Sequence, residues 1–121
     1  MSVKIQIEEM PGYFAAKFTG ACAAEQAWRR FETIAERCKR ANKNKLFLDF
    51  TDCHGDISLA ARYFFVEGAR IFAQYNLTKA AYFARPDQVD SQKFGEMVAQ
   101  NRWLNARIFT NAEEAEKWLL E

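Results

Sequence analysis

Five residues of types that carry chemistry stand within one short stretch: Asp52, Cys53, His54, Asp56 and Ser58. A thiol beside an imidazole is the pair a nucleophile and its base require. Thiol, imidazole and carboxylate are also the common metal-ligand types. His54 is the only histidine of the chain, so no second imidazole completes a usual zinc set. Adjacent Cys53 and His54 need not converge, and a tight turn at Gly55 can splay them apart. The stretch therefore reads as a polar, partner-facing loop of Asp52, Cys53, His54 and Asp56. A thiol-dependent reaction at Cys53 and His54 is the alternative. Ser58 follows at the expected start of a helix, where its hydroxyl can cap the first turn. A phosphate there would meet free N–H groups and the positive helix end, which makes Ser58 a candidate phospho-acceptor. Cys22 also stands at an expected helix start, with Glu25 three residues on. A thiol so placed is expected to alkylate faster than Cys38, which lies on an apolar stripe.

The elements that position these groups follow from periodicity. Val3, Ile5 and Ile7 alternate with polar residues, the period of a half-buried strand. Pro11-Gly12 suits a type II turn, and Tyr13–Thr19 reads as the second strand of an antiparallel hairpin ending at Gly20. From about Ala23 to Ala41 the spacing turns helical, with Ala27, Trp28, Phe31, Ile34, Ala35 and Cys38 on one stripe. Glu25 with Arg29 and Glu36 with Arg40 are favourable i,i+4 pairs. Lys45–Phe50 is apolar enough for a central third strand. A second helix is expected from about Ser58 to Tyr75, and a fourth strand over Lys79–Arg85, ended by Pro86. Asp90 or Ser91 caps a third helix, and Ala106–Thr110 forms a short fifth strand. Asn111 with Glu114 marks a capping box before a last helix carrying Trp118 and Leu119.

The second helix is unusual in its apolar residues. Tyr63, Phe64, Phe65 and Val66 are consecutive, and Ile71 and Phe72 follow. Consecutive positions point around a helix, so one face cannot bury them all. Tyr63, Phe64, Phe65, Ile71 and Phe72 are thus a candidate face for an apolar ligand or a homodimer.

The chain has 121 residues, the size of a single domain over 1–121 that needs neither disulfide nor metal to fold. A formal net charge of +1 gives no long-range pull on nucleic acid. Three widely spaced cysteines suit free thiols in the cytoplasm. No run approaches the length of a membrane span, and Met1–Glu9 lacks a signal-like apolar stretch. Phosphate-binding glycine loops, Gly-x-Ser-x-Gly and His-Glu-x-x-His are absent from the sequence, which disfavours nucleotide-dependent and hydrolytic enzymes. No cofactor or metal is implied.

The element order is β-β-α-β-α-β-α-β-α: an α/β fold opening on a β-hairpin, with a mixed, mostly parallel five-stranded sheet and about four helices. With Phe18-Thr-Gly20, Leu46-Phe-Leu-Asp49, Ala99-Gln-Asn-Arg102, Arg107-Ile-Phe-Thr110 and Glu114-Ala-Glu-Lys-Trp-Leu119 in that order, nearly the whole chain resembles the SpoIIAA-like family of the anti-sigma-factor-antagonist (STAS) fold. The resemblance implies a non-enzymatic cytoplasmic regulatory domain that binds a protein partner. It also implies a phosphorylated serine at the start of the helix after the central strand, where Ser58 stands. The family usually has aspartate just before that serine; here the residue is Ile57. The fold is similar, in architecture only, to that of CRAL-TRIO lipid-binding domains, so an apolar small molecule or lipid is the alternative ligand.

Overall fold

Strand β1 (Lys4–Met10) and strand β2 (Tyr13–Ala21) form the expected antiparallel hairpin, in register from Lys4 opposite Thr19 to Met10 opposite Tyr13. Gly12 turns the chain with φ of 87°, the positive value a side chain resists. The computed structural model describes residues 4–21, 24–54, 70–88 and 105–121.

Helix α1 (Ala24–Arg40) crosses from β2 to strand β3 (Lys45–His54). Its end is set by Asn42, at φ of 61°. The Lys43 N–H donates to the Cys38 carbonyl and the Asn42 N–H to the Lys39 carbonyl, both at 3.0 Å, the paired bonds of a Schellman motif. The next helix is described over 70–75 (α2), and it ends the same way. Asn76 takes φ of 57°, and the Leu77 N–H donates to the Phe72 carbonyl at 2.9 Å.

Strand β4 (Lys79–Phe83), a single 3-10 turn at Pro86–Gln88, strand β5 (Ala106–Phe109) and helix α3 (Ala112–Leu120) complete the described chain. Asn111 caps α3, its side-chain oxygen accepting from the Glu114 N–H at 3.0 Å. The described helices are therefore three against the about four expected; the helix expected from Asp90 or Ser91 lies outside the described residues.

The strands lie in the order β1-β2-β3-β4-β5, with β3 central as its apolar character requires. Only the hairpin is antiparallel; the other three pairings are parallel. On one face α1 and α2 pack over Phe14, Ala16, Phe18, Leu46, Leu48, Phe50 and Tyr82. Phe18 and Phe50 stack there with centroids 4.7 Å apart. On the other face α3 sets Ala115, Trp118 and Leu119 against Tyr13, Phe47, Ala81 and Phe109. Lys79 holds α3 at its C-terminal end, donating to the Trp118 carbonyl at 2.8 Å while its ammonium lies 4.9 Å from the Trp118 ring. No helix among the described residues is long and apolar enough to cross a membrane.

Candidate functional site

The chemistry-bearing stretch begins inside β3, not after it. The sequence ends that strand at Phe50 and β2 at Thr19, but both continue, so that Gly20 faces Cys53 and Ala21 faces His54. What hides the continuation is a bulge. Between the pairs Lys17–Asp49 and Thr19–Asp52, β3 advances by one residue more than β2. Leu46, Leu48 and Phe50 point into the core; after the extra residue the next inward side chain is Cys53. A one-residue slip exchanges the two faces of a strand. The bulge thereby turns Asp52 and His54 outward and Cys53 inward.

Two side chains hold this geometry. Bulging frees backbone groups from the ladder, and buried ones need partners. The Thr51 N–H donates to Asp49 Oδ1 at 2.8 Å, and the Thr51 hydroxyl donates to the same oxygen at 2.6 Å. From the other side comes Gln88, a buried amide only 4% exposed. Its Nε2 donates to the carbonyls of Phe50 (2.8 Å) and Cys53 (3.0 Å), and its Oε1 accepts from the Arg85 N–H at 2.7 Å. Strand β4 pairs with β3 only as far as Phe83 opposite Asp49. Gln88, carried back by the 3-10 turn, bonds the part of β3 that β4 does not reach.

The exposed surface so made is charged. Lys17 Nζ lies 3.0 Å from Asp52 Oδ2, with both side chains about half exposed. The hydrogen bond to Asp52, together with the charges of Asp52 and Asp49, raises the Lys17 pKa. His54 is exposed beside this pair.

The partner-facing loop expected from Asp52, Cys53, His54 and Asp56 is thus corrected in part. Asp52, Cys53 and His54 are strand residues, and Cys53 is fully buried. Successive strand residues point to opposite sides, so Cys53 and His54 do not converge as nucleophile and base. Among the described residues no group of three or more His, Cys, Asp or Glu side chains is gathered to hold a metal. Asp56 and Ser58 lie outside the described residues, as do Cys22, Tyr63, Phe64 and Phe65. Ile71 and Phe72, expected on an apolar ligand or dimer face, are instead core residues, 0% and 9% exposed, packed with α1 and the sheet. Of the other thiols, Cys38 is buried and donates to the Lys43 carbonyl at 3.3 Å; burial pushes its pKa up to about 12, opposed by the charge of Lys43.

Lys17 and Gln88 are the residues of this region that sequence reasoning missed. Lys17 sits on the polar side of the β2 alternation, a faint signal. Nothing local marks Gln88, because its partners lie some thirty-five residues upstream in the chain.

No family model matches the chain, and no curated protein does. Solved structures are similar over almost its full length. An anti-sigma factor antagonist from Mycobacterium paratuberculosis superposes with a TM-score of 0.60 at 12% identity, covering 99% of this chain and 96% of that one. An uncharacterised protein of the DUF3478 family with a SpoIIAA-like fold, from Shewanella loihica PV-4, gives a TM-score of 0.54 at 20% identity, covering 98% and 93%. With the hairpin, the parallel central strands and helices on both faces, this likeness shows that the chain has the SpoIIAA-like (STAS) fold.

Proposed function

We propose that the chain is a non-enzymatic cytoplasmic regulatory domain that recognises a protein partner at the C-terminal end of its central strand. The observation that carries the reading is the bulge in β3, which presents Asp52 and His54 outward beside Lys17 and turns the thiol of Cys53 into the core. Charged and hydrogen-bonding groups on a rigid strand, with no nucleophile among them, suit recognition better than group transfer. In open α/β sheets, ligands gather at this end of the strands. The fold shared with an anti-sigma factor antagonist supports a protein as the ligand. Ser58, four residues beyond His54, is the proposed phospho-acceptor that regulates it.

The test is native mass spectrometry of the protein isolated from its own host, beside a D52K/H54E variant. The wild type is expected to carry a protein-sized mass increment that the variant lacks, and denaturing mass is expected to show a phosphate-sized excess mapping to Ser58. A small apolar mass in place of a protein would overturn the reading in favour of a ligand-binding domain. A protein increment retained by D52K/H54E would move the binding surface elsewhere.

A further inference from the structure

A second surface lies along the free edge of the sheet. Strand β1 is a terminal strand, hydrogen-bonded among the described residues only to β2. Among the described residues no strand pairs with its other edge along its seven residues, which leaves a ready template for one more strand. Beside it runs a groove between β1 and α1. One part, of about 470 Å³, lies between Ile5 and Ile7 of the strand and Arg30, Ile34 and Arg37 of the helix. The adjoining part, of about 460 Å³, shares Ile7 and Arg37 and continues to Phe14 and Arg40. The strand side carries Ile5 and Ile7 between Lys4 and Glu9, the latter's carboxylate 4.0 Å from the Lys43 ammonium, and the helix side is basic.

Two carboxylates of α1 are already engaged. Glu32, on the α2 side, is engaged there: its carboxylate accepts from the Tyr75 hydroxyl at 3.3 Å and lies 3.6 Å from the Arg70 guanidinium. Glu36 is paired with Arg40 at 2.6 Å. On the groove side, Arg30 and Arg37 are exposed and have no ion-pair partner among the described residues. They stand two helical turns apart, roughly 10 Å along the axis. Side chains four residues apart on a strand are separated by roughly 13 Å, a span that flexible arginine side chains close.

We infer that this edge takes an acidic, extended segment of a protein partner. The segment adds a sixth strand beside β1, sets an apolar side chain over Ile5 and Ile7, and presents carboxylates to Arg30 and Arg37. Main-chain bonds to β1 supply affinity, and the alternating side chains supply selection. Guanidinium–carboxylate pairs are the strong, geometrically selective kind. This surface is separate from the β3 end and does not rest on the function proposed there.

The probe is a capped heptapeptide, Thr-Glu-Thr-Val-Thr-Glu-Thr, titrated into the isotopically labelled full chain and followed by amide NMR shifts. Saturable shifts are expected along β1 and at Arg30 and Arg37. R30E/R37E, whose exposed positions leave folding intact as judged by an unchanged urea midpoint, is expected to weaken binding at least about tenfold. D52K/H54E is expected to bind the peptide as the wild type does. The same peptide with lysine for both glutamates is expected not to bind. Equal binding of the lysine peptide, no saturable shift at β1, or indifference to R30E/R37E would overturn the inference. So would dimerisation of the peptide-free chain through Ile5 and Ile7, seen by sedimentation and intermolecular contacts, which would give the edge to a second copy.

Discussion

Replacing Gln88 tests the account of how the central strand is shaped. Gln88→Leu keeps most of the side-chain volume and deletes three hydrogen bonds, to the carbonyls of Phe50 and Cys53 and from the N–H of Arg85. At about 1 kcal/mol net per neutral bond, the loss is about 3 kcal/mol. The two carbonyls lie in the interior, so water does not replace the amide cheaply, whereas Arg85 is exposed and its N–H can be solvated. For a urea slope of about 1.5 kcal/mol/M, the unfolding midpoint falls by about 2 M. Gln88→Glu separates bonding from packing. Near neutral pH it sets a buried carboxylate against two carbonyls, and it is expected to be less stable than Gln88→Leu. Burial raises the folded pKa of the introduced carboxyl above its unfolded value. Stability is then recovered as pH falls, because the protonated form can again donate to one carbonyl, and is lost as pH rises through the folded pKa. In both variants the amide shifts of Asp52 and His54 are expected to move. A midpoint shift under about 0.5 M for Gln88→Leu, with those shifts unchanged, would refute the idea that Gln88 holds the bulge.

Other perturbations address single elements. With its pKa pushed up to about 12, Cys38 is expected to react with iodoacetamide at pH 8 about a thousandfold more slowly than a free thiol, from its thiolate fraction alone; peptide-mapped alkylation of native protein checks this, and Cys22 is expected to label first. The same raised pKa means the unfolded thiol releases its proton at lower pH than the folded one. The stabilising effect is full below about 9 and lost between 9 and 12, so urea midpoints should fall over that range less steeply in Cys38→Ala. Gly12→Ala forces a Cβ onto φ of 87° and to within 2.7 Å of Leu120 Cδ2. That side-chain tip can move, so the backbone sets the cost, about 1–2 kcal/mol by thermal or urea unfolding. Asn111→Ala removes the cap of α3 and is expected to cost about 1 kcal/mol in the same assay.

The sequence made the frame legible wherever periodicity was unbroken. The hairpin at Pro11-Gly12, the stripe through Phe31, Ile34 and Cys38, and the Asn111 cap each follow from local spacing or turn chemistry, and each is present. The end of β3 was not legible, because its inward residues run Leu46, Leu48, Phe50, Cys53: two intervals of two and then one of three. The apolar run over Lys45–Phe50 stops before the break, and so turns a strand end into a loop and an inward thiol into a candidate nucleophile. Gly20 misled in the same way. A glycine there reads as a strand terminator, yet Gly20, at φ of 111°, lies within β2 opposite Cys53. Gln88 was invisible for another reason: a side chain that completes the hydrogen bonding of a distant strand has no local signature. Ile71 and Phe72 are core residues, and their part of the expected helix is described only from Arg70 on.

Strand order equal to chain order carries a consequence for synthesis. As the polypeptide leaves the ribosome, the β1–β2 hairpin can close first, and each later strand finds its neighbour already exposed as the growing edge. Among the described strands none has to be inserted between two others, although each parallel pairing waits for a crossover of more than twenty residues. The exception is α3, made after the five described strands, which reaches back over Tyr13 of β2 and Phe47 of β3 and is anchored by Lys79. Until it docks, Tyr13, Phe47 and Ala81 lack the cover that Ala115, Trp118 and Leu119 give them. Packing of this face therefore waits for residues 112–120, and a chain stalled or cut before them would display Tyr13, Phe47 and Ala81 to the quality-control machinery.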